Sequence, residues 1–232
     1  GDRRLSVIDT SAAGHQPMWD ESGRYCIVFN GEIFNFPELR KGLLEKGVPF
    51  RSASDTEVLL KLFIHEGEAC LQKLNGFFAF CVYDKQTQSF FIARDRYGVK
   101  PLLYLFDEDK FVFASEMKAM LQYGIEKELD YTSLLTYLQL NYIPAPHTVF
   151  RNVKKLLPGH YLHVTERTLR MEQWYEIPFD AEEAERNTIS YEEAKSRFAT
   201  LLEASVQRRL VADVPLGAFL GGLVLGESEV GH

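Results

Sequence analysis

At 232 residues, with 46% apolar side chains, the chain has enough hydrophobic material for one large domain, or for one domain and part of another. Its formal net charge of −7 excludes the basic stripe that nucleic-acid phosphates require, which leaves small molecules, proteins or a second copy of the chain (a homodimer) as candidate partners. The longest apolar runs, such as "FFAFCVY" at 77–83, fall well short of the roughly 20 residues of a membrane helix. No secretory leader is visible, so a cytoplasmic protein with no membrane partner is expected.

Three cysteines, Cys26, Cys70 and Cys81, are too few and too irregularly spaced for a disulfide framework, and no CxxC pair suggests zinc. All three are expected to be reduced, with Cys26 and Cys81 on strands that face a core. The histidines show no paired spacing that would support a metal site or a His-based triad.

In chain order, "YCIVF" at 25–29 reads as a buried strand running into the pair Asn30-Gly31. A helix follows, with Asn35 as its cap, Pro37 in its first turn, an apolar stripe of Leu39, Leu43 and Leu44, and Gly47 at its end. "SDTE" at 54–57 is a capping box; Val58, Leu59, Leu62 and Phe63 then recur at helical spacing up to Gly67. Between 77 and 115 the texture changes to short apolar strands, "FFAFCVYD", "SFFIARD", "PLLYLF" and "KFVFAS", separated by polar tips. That is an antiparallel meander, and strands apolar on nearly every residue must be covered on both faces. Helices are expected at about 116–123 and 131–140, then a strand pair at "HYLHV" and "TLRMEQWY". The acidic stretch at 176–189 reads as a linker, dividing a first domain at 1–180 from the start of a second at 190–232. There "SYEE" opens an amphipathic helix carrying Phe198, Leu201, Leu202 and Val206 on one face and ending near Arg209.

Asn-Gly after a strand is a turn in most contexts. The alternative is chemical: an asparagine side-chain N–H and a glycine backbone N–H can form a two-donor pocket for a developing oxyanion. Asp55 is either a first-turn acid complementing the helix dipole or a carboxylate for a substrate ammonium. Arg4 is either an exposed edge charge or a fork for a carboxylate. With Glu32 as second acid, the set suits an α-amino acid. The stretch "RDRYGVKPL" crowds Arg94, Asp95, Arg96 and Lys100 around a turn made by Gly98 and Pro101, and a structural role is favoured for it over a solvated hairpin.

The segments "RRLSVIDTSAAGHQPM", "YCIVFNGEIFNFPELR", "SDTEVLL", "LNGFFAFCVYD", "ARDRYGVKPLLY", "FASEMKAM", "LPGH" and "VPLGAFL" together resemble, in collinear order over about residues 1–220, the asparagine synthetase family of class II (N-terminal nucleophile) glutamine amidotransferases. The resemblance implies an α+β fold, a four-layer αββα sandwich of two antiparallel sheets between helical layers, followed by the start of an α/β ATP-pyrophosphatase domain. It implies that Asn30 and Gly31 form an oxyanion hole, that Arg4 holds the glutamine α-carboxylate, and that Glu32 and Asp55 lie near its α-ammonium. Glutamine, aspartate and ATP with magnesium are the implied ligands: glutamine is hydrolysed through a cysteinyl thioester, and the ammonia attacks aspartate activated as an acyl-adenylate.

Two departures qualify this expectation. The family's nucleophile is a cysteine at the mature N-terminus, whereas this chain starts at Gly1, and Cys26 has no activating neighbour to replace it. The family's Ser-Gly-Gly-x-Asp-Ser nucleotide loop is reduced to Gly221-Gly222. The chain is therefore expected to be a piece of such an enzyme, truncated at both ends, with neither glutaminase nor synthetase turnover. A synthetase acting on another carboxylate, of the β-lactam synthetase or peptide cyclase type, and a non-catalytic glutamine-binding or scaffold domain are the alternatives.

Overall fold

The computed structural model describes residues 15–210. Along the chain run β1 (Met18–Trp19), β2 (Tyr25–Ile33), α1 (Phe36–Glu45), α2 (Asp55–Glu66), a 3-10 helix (Gly67–Lys73), β3 (Gly76–Asp84), β4 (Ser89–Arg94), β5 (Leu103–Phe106) and β6 (Phe111–Ala114). There follow α3 (Met117–Tyr123), α4 (Tyr131–Leu140), β7 (Lys154–Lys155), β8 (His160–Val164), β9 (Leu169–Gln173), α5 (Ala181–Arg186) and α6 (Tyr191–Arg208). The strands form an antiparallel six-stranded sheet in the order β1-β2-β3-β4-β8-β9 and a three-stranded sheet in the order β6-β5-β7.

Strand periodicity explains how these sheets stack. On β3, Phe78, Phe80 and Val82 point one way, into a core shared with Val58, Leu59 and Leu62 of α2. The intervening Ala79 and Cys81 point the other way, into a core shared with Tyr104 and Phe113 of the second sheet and with Leu102 just before it. On that sheet's far face Leu103 and Leu105 pack with Met120 of α3. Three cores in series, helix to sheet, sheet to sheet and sheet to helix, make the chain an α+β four-layer sandwich. Doubly apolar strands are what such a stack requires, since a polar residue on either face would be buried without water.

The serine caps form as the sequence predicts, Ser54 accepting from the Glu57 N–H and Ser190 from the Glu193 N–H, but the Glu57 carboxylate accepts from the N–H groups of Arg51 and Ser52 instead of completing a capping box. Two expectations need correction, and two further segments take a form the sequence left open. The Asn30-Gly31 pair is neither a hairpin tip nor a loop, because β2 continues through it and pairs Asn30 with Ala79 and Gly31 with Phe78. Asn35 stands at the start of α1 without capping it; its amide instead donates to the Lys73 carbonyl and accepts from the Asn75 N–H, fastening α1 to the start of β3. Within the expected linker, α5 forms a short helix. The Arg94-Asp95 turn is no solvated hairpin: Arg94 donates to the carbonyls of Gly98, Lys100 and Leu156, and buried Asp95 accepts from the N–H groups of Phe78, Tyr97, Val99 and Lys100. The structural role expected for that turn is met through backbone groups.

The apolar face of α6 lies open, with Phe198 66% and Leu201 67% exposed. Among the described residues no helix is long and apolar enough to cross a membrane. Arg4 and the Gly221-Gly222 pair lie outside the described residues.

Candidate functional site

The second half of β2 carries three of the five residues singled out from the sequence, and it is shaped by two glycines. Gly31 has φ +152°, and a Cβ there would lie 2.1 Å from the Phe77 carbonyl oxygen. Opposite, a Cβ on Gly76 would lie 2.2 Å from the Glu32 carbonyl oxygen. Only paired glycines let the two backbones approach so closely. The approach sets the positions of Asn30 and Glu32 on either side of Gly31.

Asp55, 1% exposed at the first turn of α2, accepts from the N–H of Ile33 at 3.2 Å, so the capped first turn also aims a carboxylate at the end of β2. The half-buried Glu32 carboxyl is pushed above its ordinary range, first by burial and then by the charge of Asp55; Lys100 and Arg209 partly oppose the shift. Among the described residues no hydrogen bond reaches the Glu32 carboxylate. Arg209, just past α6, lays its guanidinium over the rings of Phe34 and Phe77 at 4.8 and 4.9 Å. Two acids that raise each other's energy, one of them without a hydrogen-bond donor, form a site for a compact cation such as an ammonium group.

Asn30 lies on the side of β2 that looks between the sheets, as Val28 does. Its Nδ2 donates to Ser115 Oγ at 3.2 Å, and both line a cavity of about 330 Å³ with Gln16, Phe80, Cys81 and Leu102. Gln16 donates from Nε2 to the Phe29 carbonyl at 2.9 Å and accepts from the Phe29 N–H at 2.5 Å, standing in for a neighbouring strand one residue before Asn30. Gly31, Glu32 and Asp55 do not line this cavity. The structure thus gathers Asn30, Gly31, Glu32 and Asp55 at one strand end, with only Asn30 of the four lining the cavity, while Arg4 lies outside the described residues.

Sequence reasoning missed Ser115 and Gln16, and it assigned Lys100 to a turn rather than to the surroundings of Glu32. Residues matched across sheets leave no spacing signal in a single sequence. None of the cysteines has the surroundings of a nucleophile: burial raises the Cys26 thiol, pushes Cys70 up to about 12 and carries Cys81 well above its usual value.

Residues 1–175 match the family described as a glutamine amidotransferase domain. Over 226 residues the chain is 37% identical to asparagine synthetase (glutamine-hydrolyzing) 3 of Bacillus subtilis (strain 168), covering 96% of this chain and 36% of that protein. Over 233 residues it is 35% identical to amidase chry2 of Gibberella zeae, covering 100% of this chain and 34% of that one. The chain therefore spans about a third of the length of these relatives. Among solved structures, glutamine phosphoribosylpyrophosphate amidotransferase from B. subtilis, determined with ADP and GMP, superposes with a TM-score of 0.54 at 22% identity over 72% of this chain and 33% of that one, a likeness of fold. A family match over most of the chain, relatives above 30% identity and a shared sandwich fold converge: the chain belongs to the class II glutamine amidotransferase domain family, as the domain occurs in asparagine synthetase-like proteins.

Proposed function

We propose that the chain binds L-glutamine at the end of β2 and supplies the groups that hold its side-chain amide for hydrolysis to glutamate and ammonia. The observation that carries this reading is Glu32, a half-buried carboxylate beside Asp55 with no hydrogen bond among the described residues. An α-ammonium group placed there neutralises the repulsion between the acids and returns hydrogen bonds to Glu32. Arg4 is assigned to the α-carboxylate. Asn30 Nδ2 and the Gly31 N–H are assigned to the oxygen of the scissile amide, which gains negative charge as the carbonyl carbon becomes tetrahedral. The C–N bond then breaks, ammonia leaves, and water supplies the oxygen of the new carboxylate.

By the family resemblance, the ammonia would serve an ATP- and magnesium-dependent amidation of aspartate in the cytoplasm. Gly221 and Gly222, all that the chain keeps of that family's nucleotide loop, lie outside the described residues, and neither ATP nor magnesium is expected to bind this chain well.

With all three thiols raised by burial, none of Cys26, Cys70 and Cys81 is assigned as the nucleophile. Calorimetry with L-glutamine tests binding: saturable heat is expected from the wild type and at least about tenfold weaker affinity from Glu32→Gln, the loss of one charged contact. Equal affinities would remove the ammonium site. A glutamate-release assay on protein from the complete reading frame tests the chemistry, and absence of glutamate there would refute the amidotransferase reading.

A further inference from the structure

We infer that Ser115 is the positioning residue for the Asn30 amide, a second anchor that turns a freely rotating side chain into a preset hydrogen-bond donor. This inference rests on the oxyanion role proposed above for Asn30. A donor stabilises developing charge only if it already points at the place where the charge will form. The backbone of Gly31 meets that condition through its pairing with Phe78 and its contact with Phe77. The Asn30 carboxamide does not meet it by itself, since it is exposed and its terminal torsion is broad.

Ser115 comes from the other sheet. It follows the last residue of β6 and precedes Glu116, which stands at the start of α3, so its backbone is held between a strand and a helix. From there Oγ accepts one of the two Nδ2 hydrogens of Asn30 at 3.2 Å, across the mouth of the cavity that both residues line. An amide with one hydrogen committed has its nitrogen side fixed, and its second hydrogen is left for a ligand oxygen. Gln16 provides the complementary restraint by holding both backbone groups of Phe29. Asn30 is thus held at its backbone from β2's own sheet and at its side chain from the opposite sheet. The gap between the sheets becomes part of the site's geometry.

The test uses Ser115→Ala and Ser115→Thr. In protein from the complete reading frame, Ser115→Ala lowers kcat for glutamate release about tenfold or more, a part of the hundredfold or greater loss typical of removing an oxyanion donor. KM for glutamine stays within about twofold, because the ammonium subsite is untouched. Ser115→Thr, which keeps the hydroxyl, restores most of the rate. In the 15N-labelled Gly1–His232 chain, the two Asn30 side-chain amide protons are resolved in the wild type and in Ser115→Thr, and their separation collapses toward the free carboxamide value in Ser115→Ala. Unmoved Asn30 amide signals overturn the inference, and so does an unchanged kcat in an enzyme whose wild type turns over. A wild type that releases no glutamate refutes the function proposed above, and the amide signals then decide the role of Ser115 by themselves.

Discussion

Replacing Gly31 with alanine tests the fold and the site together. The new Cβ would lie 2.1 Å from the Phe77 carbonyl oxygen and 2.8 Å from the Phe78 Cα, both backbone atoms that no rotamer change can move. The φ of +152° adds strain for any side chain, of the order of 1–3 kcal/mol. Overpacking against rigid neighbours costs about 1–3 kcal/mol more. The two terms give roughly 2–6 kcal/mol, and with about 2–4 °C per kcal/mol in a domain of this size the melting midpoint should fall by about 4–24 °C. Gly42, inside α1 with open space for a Cβ and nothing within 4 Å of it, is the matched control. There alanine removes the backbone-entropy cost of glycine in a helix and should raise the midpoint by a few degrees. Parallel thermal melts of the purified wild type, Gly31→Ala and Gly42→Ala, followed by circular dichroism, give the answer. A Gly31→Ala midpoint within about 2 °C of wild type would show that β2 and β3 do not approach at this point, and the geometry argued for Asn30 and Glu32 would fall with it.

Further expectations concern charge and thiols. Because the fold raises the Glu32 pKa, the charge of this residue destabilises the native state at neutral pH. Its stabilising contribution is complete below the ordinary carboxylate value of 4.5 and is lost as pH rises through the folded value, so Glu32→Gln should melt higher than wild type at pH 7 and lose that advantage near pH 4; a constant difference across this range would contradict the desolvated-acid account. Asp84 is the opposite case: the guanidinium of Arg24, at 2.9 and 2.7 Å, holds its carboxyl below the usual range. Its stabilisation is present above the ordinary value of 3.8 and lost as pH falls through the folded value, so Asp84→Asn should melt lower at pH 7 and converge on wild type in acid; a gap that survives acidification would locate its cause elsewhere. With all three thiols raised by burial, iodoacetamide at pH 8 should label the native chain slowly and the denaturant-unfolded chain at all three positions. Rapid stoichiometric labelling of native Cys26 would reopen that residue as a nucleophile.

Local grammar made much of this molecule readable. The serine caps at Ser54 and Ser190 formed as expected because each is completed within a single turn. The doubly apolar strands from β3 to β6 announced a stack of sheets because their composition leaves no solvent face. Where the reading failed, a distant partner had overridden a local preference. Asn35 gave up its cap to bond Lys73 and Asn75, and the Asn30-Gly31 pair was drawn into a strand by β3.

For the site, the amino-acid sequence determined the chemical types: an amide, a glycine and two acids in the order that marks the family. Only the tertiary structure decided how they are oriented, with Asn30 between the sheets against Ser115 and Glu32 turned toward Asp55, Lys100 and Arg209. Residue types and short spacings are written along the chain, whereas the direction of a side chain depends on which strand lies beside it and how closely two glycines let the backbones meet.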